Sequence, residues 1–312
     1  MSRPDQPIIL GTRASPLAMA QSGQVAAALC AAHDWPEDAV RLHEIITRGD
    51  KQLQQKLSEI GGKGLFTEEL EAGLRDGSLD MAVHSLKDLP TETPDGLHLA
   101  AIAPRAAAHD VLITAENLPP VRNLADLPQG ARIGTASLRR QAQILAPRPD
   151  VEIVPVRGNI QTRLAKIDSN NLHGIILAAA GLDRMGLTPP TAIKLDGQDM
   201  LPAAGQGALA VEVSADNHKM IDLLAPLHCM ATAACVAAER AFLNALDGNC
   251  RTPIAAHATL DGTTLSLTGR LLAEDGSEWV DGEAQGPQDK AAALGRHLAE
   301  RLKNQAPHLV TA

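Results

Sequence analysis

The chain has 312 residues, a net charge of −9 and a pI of about 5.6, so it carries no global positive field for nucleic acid or an anionic membrane. With two Trp, two Phe and no Tyr it offers few platforms on which bases would stack. The length suits two or three globular domains. Met1-Ser2-Arg3-Pro4-Asp5-Gln6-Pro7 lacks the basic and apolar regions of a signal peptide, and no apolar run reaches membrane-spanning length; a cytoplasmic location is expected. Cys30, Cys229, Cys235 and Cys250 show neither zinc-ligand pairing nor a dense disulfide pattern, so reduced thiols and no bound metal are expected.

Short apolar strands feeding helices run along the first two thirds of the chain, the pattern of a parallel α/β sheet. Ile8 to Thr12 reads as a strand; Ser15 then caps a helix with Pro16 at its first position, which leaves Arg13 on the strand-to-helix turn. Met81 to His84 is a second strand, followed by Ser85-Leu86-Lys87-Asp88. Arg132 to Thr135 repeats the first pattern, with Ser137 capping a helix that begins Leu138-Arg139-Arg140, and the recurrence predicts two related α/β halves. Val151 to Val156 precedes Arg157-Gly158-Asn159, with Arg163 one to two helical turns beyond Arg157. Gly174 to Leu177 precedes a turn at Gly181 to Arg184. Pro202-Ala203-Ala204-Gly205-Gln206-Gly207 reads as a crossover or hinge.

Beyond about residue 225 the texture changes. An Ala-rich helix is expected from Ala233 to Leu246, with Cys229 and Cys235 in the same helical stretch and Gly248 in the left-handed position that ends it. Three alternating segments joined by Asp261-Gly262 and Asp275-Gly276 read as an antiparallel meander. A last helix near Lys290 to Leu302 repeats Leu294, Leu298 and Leu302 at helical spacing and is expected to cover that sheet.

Basic residues follow the strands. Open α/β sheets bind ligands at the carboxyl ends of their strands, where Arg13, Lys87, Arg139, Arg140, Arg157 and Arg184 all fall. Taken singly, each is most simply a solvated surface residue. Together with Arg163 they point to several carboxylates or phosphates, which the planar guanidinium grips bidentately. Arg139 and Arg140 sit in a first helical turn, where the helix dipole disfavours cations, so they suggest a bound anion and their loss is expected to cost little stability. Gly61-Gly62-Lys63-Gly64-Leu65-Phe66 lacks the spacing of a nucleotide phosphate loop. Its glycines suit close approach to a ligand or a mobile flap, and Phe66 is alternatively a core residue on one face with Leu70 and Leu74. Asp88, flanked by cations after an apolar strand, suits stabilisation of a cation or a hydrogen bond from pyrrole or amine N–H groups. His84 reads better as a buried histidine bonded to backbone. Cys250, between a helix end and Pro253, is by itself most often a small buried apolar residue.

The motifs together resemble the porphobilinogen deaminase (hydroxymethylbilane synthase) family: Gly11-Thr12-Arg13-Ala14-Ser15-Pro16-Leu17-Ala18, Thr47-Arg48-Gly49-Asp50, Gly61 to Phe66, Ala82 to Pro90, Gly134 to Arg140, Arg157-Gly158-Asn159 with Thr162-Arg163-Leu164, Ala178 to Arg184, Pro202 to Ala208, and Glu239-Arg240 through Pro253. They run in the family's order from residue 8 to about 256. The resemblance implies an α/β fold of two domains like type II periplasmic binding proteins (residues 1–103 with 208–225, and 104–207) and a small α+β C-terminal domain (226–312) with a three-stranded antiparallel sheet. It implies a monomeric transferase that holds a dipyrromethane primer by thioether to Cys250. Four porphobilinogen units are added to that primer head to tail with loss of ammonia, giving hydroxymethylbilane for tetrapyrrole synthesis. By the same resemblance Asp88 stabilises cationic pyrrole states and relays protons. Arg13, Arg139, Arg140, Arg157, Arg163 and Arg184, with Lys87 and Ser15, hold the pyrrole carboxylates, and Lys63 and Phe66 belong to a mobile segment beside the cofactor.

Three positions depart from the family's usual pattern, Ala136 for serine, Asn249 for glycine and Glu68 for lysine; none removes a proposed catalytic group. A carboxylate receptor without catalysis would have no use for the Cys250 thiol, and a nucleotide-dependent transferase would need the Lys-Ser/Thr ending that the glycine loop lacks.

Overall fold

The computed structural model describes residues 4, 6–47, 67–248 and 252–310. The chain divides into two compact units, Met1–Arg105 with Ala208–Ala233, and Ala106–Gly207 with Ala234–Ala312.

The first unit is built on β1 (Ile8–Arg13), β2 (Val40–Ile45), β3 (Met81–Ser85), β4 (Leu97–Ile102) and β10 (Leu209–Ser214), in the order β2-β1-β3-β10-β4. β1 runs parallel to β2 and β3, whereas β10 is antiparallel to both of its neighbours. The sheet is therefore mixed, a correction to the all-parallel expectation. β10 arrives from a distant part of the chain and enters between two strands already laid down, so its direction follows from connectivity and leaves no mark in local periodicity. Helix α1 (Pro16–Ala32) starts as its sequence requires: the Ser15 hydroxyl accepts from the Ala18 N–H at 3.3 Å and Pro16 occupies the first turn. It buries Val25, Ala26, Leu29 and Cys30 with Leu10, Met81 and Val83 of the sheet. Helix α2 (Glu68–Asp76) buries Leu70 and Leu74.

The second unit holds two sheets. The first contains β5 (Asp110–Thr114), β6 (Arg132–Gly134), β7 (Glu152–Val154), β8 (Gly174–Ala178) and β9 (Ala192–Leu195), ordered β7-β6-β8-β5-β9. Here β6 is parallel to β7 and β8, and β5 is the antiparallel strand. The repeated half predicted from Thr12 and Thr135 is thus present as the same strand order, with β10 in one sheet and β5 in the other taking the fourth place. Strand β7 is shorter than the Val151 to Val156 expectation. Helices α3 (Leu138–Leu145), α4 (Ile160–Ser169) and α5 (Ala179–Arg184) follow β6, β7 and β8, so Gly181 to Arg184 closes a helix, not an open turn. Ser137 caps α3 by accepting from Arg140 N–H at 3.5 Å, and Asn159 caps α4 by accepting from Thr162 N–H at 2.8 Å.

The other sheet is the expected meander, β11 (Ile254–Asp261), β12 (Thr264–Leu272) and β13 (Trp279–Pro287), antiparallel throughout. In chain order α6 (His218–Leu224) and α7 (Met230–Ala245) precede this sheet, and α8 (Ala291–Gln305) follows it and covers β12 and β13. Phe242 of α7 is fully buried with Leu265, Leu267, Leu298 and Leu302, and burial of such a side chain contributes about 1.5–3 kcal/mol. Helix α7 begins three residues earlier than expected, so Cys229 precedes it and its carbonyl accepts from the Ala233 N–H at 2.8 Å. At its other end the left-handed residue is Asp247 (φ 52°), which corrects the role given to Gly248. A Cβ on Gly248 would lie 2.8 Å from Ile254 Cδ1 and against the Leu243 side chain, so the ends of those side chains would have to shift.

The chain leaves the first unit after Arg105 and re-enters it after Gly207, so Pro202 to Gly207 is a crossover. Gly207 has φ 88°, and a Cβ there would come within 2.5 Å of Ala106 O, whose residue donates its N–H to Gly207 O at 3.2 Å. The two crossing segments meet at a point with no room for a side chain. Gly207→Ala should lower unfolding free energy by at least ~1–3 kcal/mol, the usual cost of a strained backbone position, and denaturant titration against Gly23→Ala in α1, where nothing lies within 4 Å, measures it.

Candidate active site

In the first unit the parallel register of β1 and β3, Leu10 beside Met81 and Gly11 beside Ala82, brings Arg13 and Ser15 to the same sheet end as Ser85, Lys87 and Asp88. Gln21 of α1 fixes that end by donating from Nε2 to Ser85 Oγ at 2.9 Å, and Ser22 Oγ lies 2.7 Å from the buried Thr12 Oγ1. Leu86 to Asp88 form one 3-10 turn, which lifts Asp88 into an exposed position while Lys87 stays half-buried. His84, expected to bond backbone, instead has Nε2 3.0 Å from Glu212 Oε2, both residues being buried.

In the second unit the carboxyl ends of β6, β7 and β8 gather Arg139, Arg140, Arg157, Arg163 and Arg184 on one edge of one sheet. Arg163 Nε donates to Gly158 O at 2.7 Å, and Lys166 Nζ to Arg157 O at 3.0 Å, so α4 is tied to the turn that precedes it. Arg184 Nη2 donates to Gly207 O at 2.8 Å, and burial lowers its pKa from the ordinary arginine value while Asp183 opposes the shift.

Arg139 and Arg140 are buried, at 5% and 7% exposure, and the anion beside them is the protein's own. Asp110, at the start of β5 and wholly buried, accepts from Arg139 Nη2 at Oδ2 (2.8 Å) and from Arg140 Nη2 at Oδ1 (2.7 Å). Nη1 of Arg139 donates to Leu201 O at 2.7 Å and Nη1 of Arg140 to Ile176 O at 2.9 Å. Burial depresses the Arg139 pKa, and the Asp110 carboxylate opposes that depression. Arg140 Nε is buried with no hydrogen-bond partner among the described residues. Among the described residues two guanidiniums meet one buried carboxylate and Arg140 Nε is a spare donor, a set that suits an anionic ligand.

Cys250, Lys63 and Phe66 lie outside the described residues. Asp110 and Gln206 were missed in the sequence, where the only signal for Asp110 is an acid opening the apolar run Val111-Leu112-Ile113. Among the described residues no group of three or more His, Cys, Asp or Glu is placed to hold a metal, and no single helix is long and apolar enough to cross a membrane.

Strand order and strand-end residues define the class: an α/β protein of two mixed sheets with basic side chains at the carboxyl ends of their strands, extended by an antiparallel C-terminal sheet. The chain belongs to the porphobilinogen deaminase family. Residues 8–222 match the model of the porphobilinogen deaminase dipyrromethane cofactor binding domain, and residues 233–304 match that of the family's C-terminal domain. A porphobilinogen deaminase of Syntrophotalea carbinolica is 47% identical over 293 residues, 94% of this chain and 91% of that protein. One of Paracoccus denitrificans is 45% identical over 307 residues, 98% of this chain and 97% of that protein. Similar solved structures include an arginine-specific periplasmic binding protein of Salmonella typhimurium (14% identity, TM-score 0.37, 73% of this chain and 94% of that one) and the periplasmic aliphatic sulphonate binding protein of Escherichia coli (15%, 0.40, 78% and 76%).

The buried ion pairs overturn the expectation that Arg139 and Arg140 matter little for stability. Arg139→Leu and Arg140→Leu should each lower unfolding free energy by about 1.5–3 kcal/mol, the worth of a hydrogen bond to a charged group, as read from urea denaturation.

Proposed function

We propose that this chain is a hydroxymethylbilane synthase, which joins four porphobilinogen units head to tail on a dipyrromethane primer and releases one ammonia per addition. The observation that carries the reading is the match of residues 8–222 to the dipyrromethane-binding domain, together with relatives of the same name over nearly the whole chain. The domains we assign are residues 1–103 with 208–225, 104–207, and 226–312. The site is assigned to a monomeric cytoplasmic enzyme, consistent with the acidic composition and the small-molecule substrate.

When bound through a thioether to Cys250, the dipyrromethane supplies a nucleophilic pyrrole carbon at which the chain grows. Every pyrrole unit of primer and product carries carboxylates, so the ligand's negative charge rises with each addition. Arg139 and Arg140 fit this group on two counts, the uncompensated positive charge and the unused Arg140 Nε. Arg13, Ser15, Lys87, Arg157, Arg163 and Arg184 supply further donors at the strand ends. Asp88, exposed on its 3-10 turn, is positioned to face the positive charge that develops as ammonia leaves, and to accept and return the pyrrole proton. Lys63 and Phe66 belong to the segment assigned to cover the cofactor.

Asp88→Asn should fold and keep the cofactor while turnover falls at least ~10²-fold, because the amide preserves shape and removes the charge. Ammonia release close to that of the unaltered enzyme would remove Asp88 from the mechanism. Cys250→Ser should carry no covalent dipyrrole, since a hydroxyl is a poorer nucleophile than a thiolate at neutral pH. Cys30→Ala, Cys229→Ala and Cys235→Ala should each retain the cofactor mass, which peptide mapping of the four variants resolves.

A further inference from the structure

We propose that Asp110 and Gln206 are positioning residues for carboxylate binding: the Asp110 carboxylate holds both guanidiniums of Arg139 and Arg140 in register and sets the charge the ligand must bring. The inference rests on the reading that those two arginines hold pyrrole carboxylates.

Each guanidinium is fixed at two points. One is a backbone carbonyl, Leu201 O or Ile176 O, and the other is a separate oxygen of Asp110. A planar group held at two nitrogens has its plane and rotation determined, so one buried carboxylate orients both forks. Gln206, itself wholly buried, donates from Nε2 to Asp110 Oδ1 at 2.9 Å and to Ala108 O at 2.6 Å. The carboxylate is thereby referenced to both crossing segments, the one that carries Ala108 and the one that carries Gln206.

The charge count makes the arrangement selective. A second buried acid would neutralise the pair and leave a ligand carboxylate nothing to gain. No acid would leave two desolvated cations repelling each other, and the pair would not stay in place. Among the described residues one acid stands between the two guanidiniums, a stable arrangement whose positive excess a carboxylate neutralises and a neutral group cannot.

The test uses full-length protein prepared free of the cofactor and then reconstituted with porphobilinogen. Asp110→Asn, Gln206→Met and Arg140→Leu are compared with the unaltered chain by rate of cofactor loading from intact mass, KM against kcat, and melting temperature before and after loading. Asp110→Asn is expected to load at least about tenfold more slowly and to show a KM raised by at least about tenfold, as misplaced binding groups do. Because its misplaced guanidiniums grip the ligand less well, its melting temperature should rise less on loading than that of the unaltered chain. Gln206→Met, which keeps both ion pairs, should load at an intermediate rate, and it decides the matter if Asp110→Asn does not fold. Loading and KM equal to those of the unaltered chain, with the melting temperature lowered by the same amount before and after loading, would make Asp110 purely structural. Normal loading of Arg140→Leu would instead sink the carboxylate reading of the arginines, whereas slow loading of Arg140→Leu beside normal loading of Asp110→Asn and Gln206→Met would overturn only the present inference.

Discussion

The carboxylate of Asp110 is the constraint on which the arginine cluster of the second unit depends. Two arginines in the first turn of a helix are opposed by the helix dipole, and their burial adds a desolvation cost; a buried anion between them and one backbone carbonyl apiece offset both. That anion is brought there by β5, the antiparallel strand of its sheet, whose first residue is Asp110. Sheet order, ion pairing and side-chain orientation are therefore one feature. A topology that placed a different strand beside β8 would leave the guanidiniums without their counter-ion.

The first unit solves a related problem with less buried charge. Its acid-base candidate rides on a short turn directly after β3, and the neighbouring helix α1 braces the strand end through Gln21 and Ser85. An exposed carboxylate keeps its hydration and stays available for proton exchange, whereas the buried pair in the second unit is fitted to hold charge in place. The two sheets share a strand order, but the exposed Asp88 follows β3 whereas the buried Arg139 and Arg140 follow β6, the counterpart of β1.

Elements governed by neighbours in sequence were legible. Ser15 with Pro16, Ser137 and Asn159 announced helix starts, and the Asp-Gly pairs at residues 261–262 and 275–276 announced the meander, because caps and tight turns are decided within a few residues. Asp110 was not legible, since its partners Arg139 and Arg140 lie about thirty positions away and an acid opening an apolar strand has no local signature. The antiparallel entry of β5 and β10 was missed for the same reason. Gly248 shows a third kind of failure: a glycine after a helix suggests a left-handed cap, yet Asp247 adopts that conformation and Gly248 packs closely against the side chains of Leu243 and Ile254. The gathering of basic residues at strand ends was legible from residue type and position, but the burial of Arg139 and Arg140, and with it their weight in stability, required the tertiary structure.

The central claim is that this protein grows a pyrrole chain covalently on itself. Intact-protein mass spectrometry of the purified enzyme, before and during incubation with porphobilinogen, tests it most directly. The account predicts a resting mass above that of the polypeptide by one dipyrromethane. Successive heavier species spaced by one pyrrole unit should then appear and collapse to the resting mass as product leaves. An active enzyme whose mass equals the bare polypeptide throughout would contradict it.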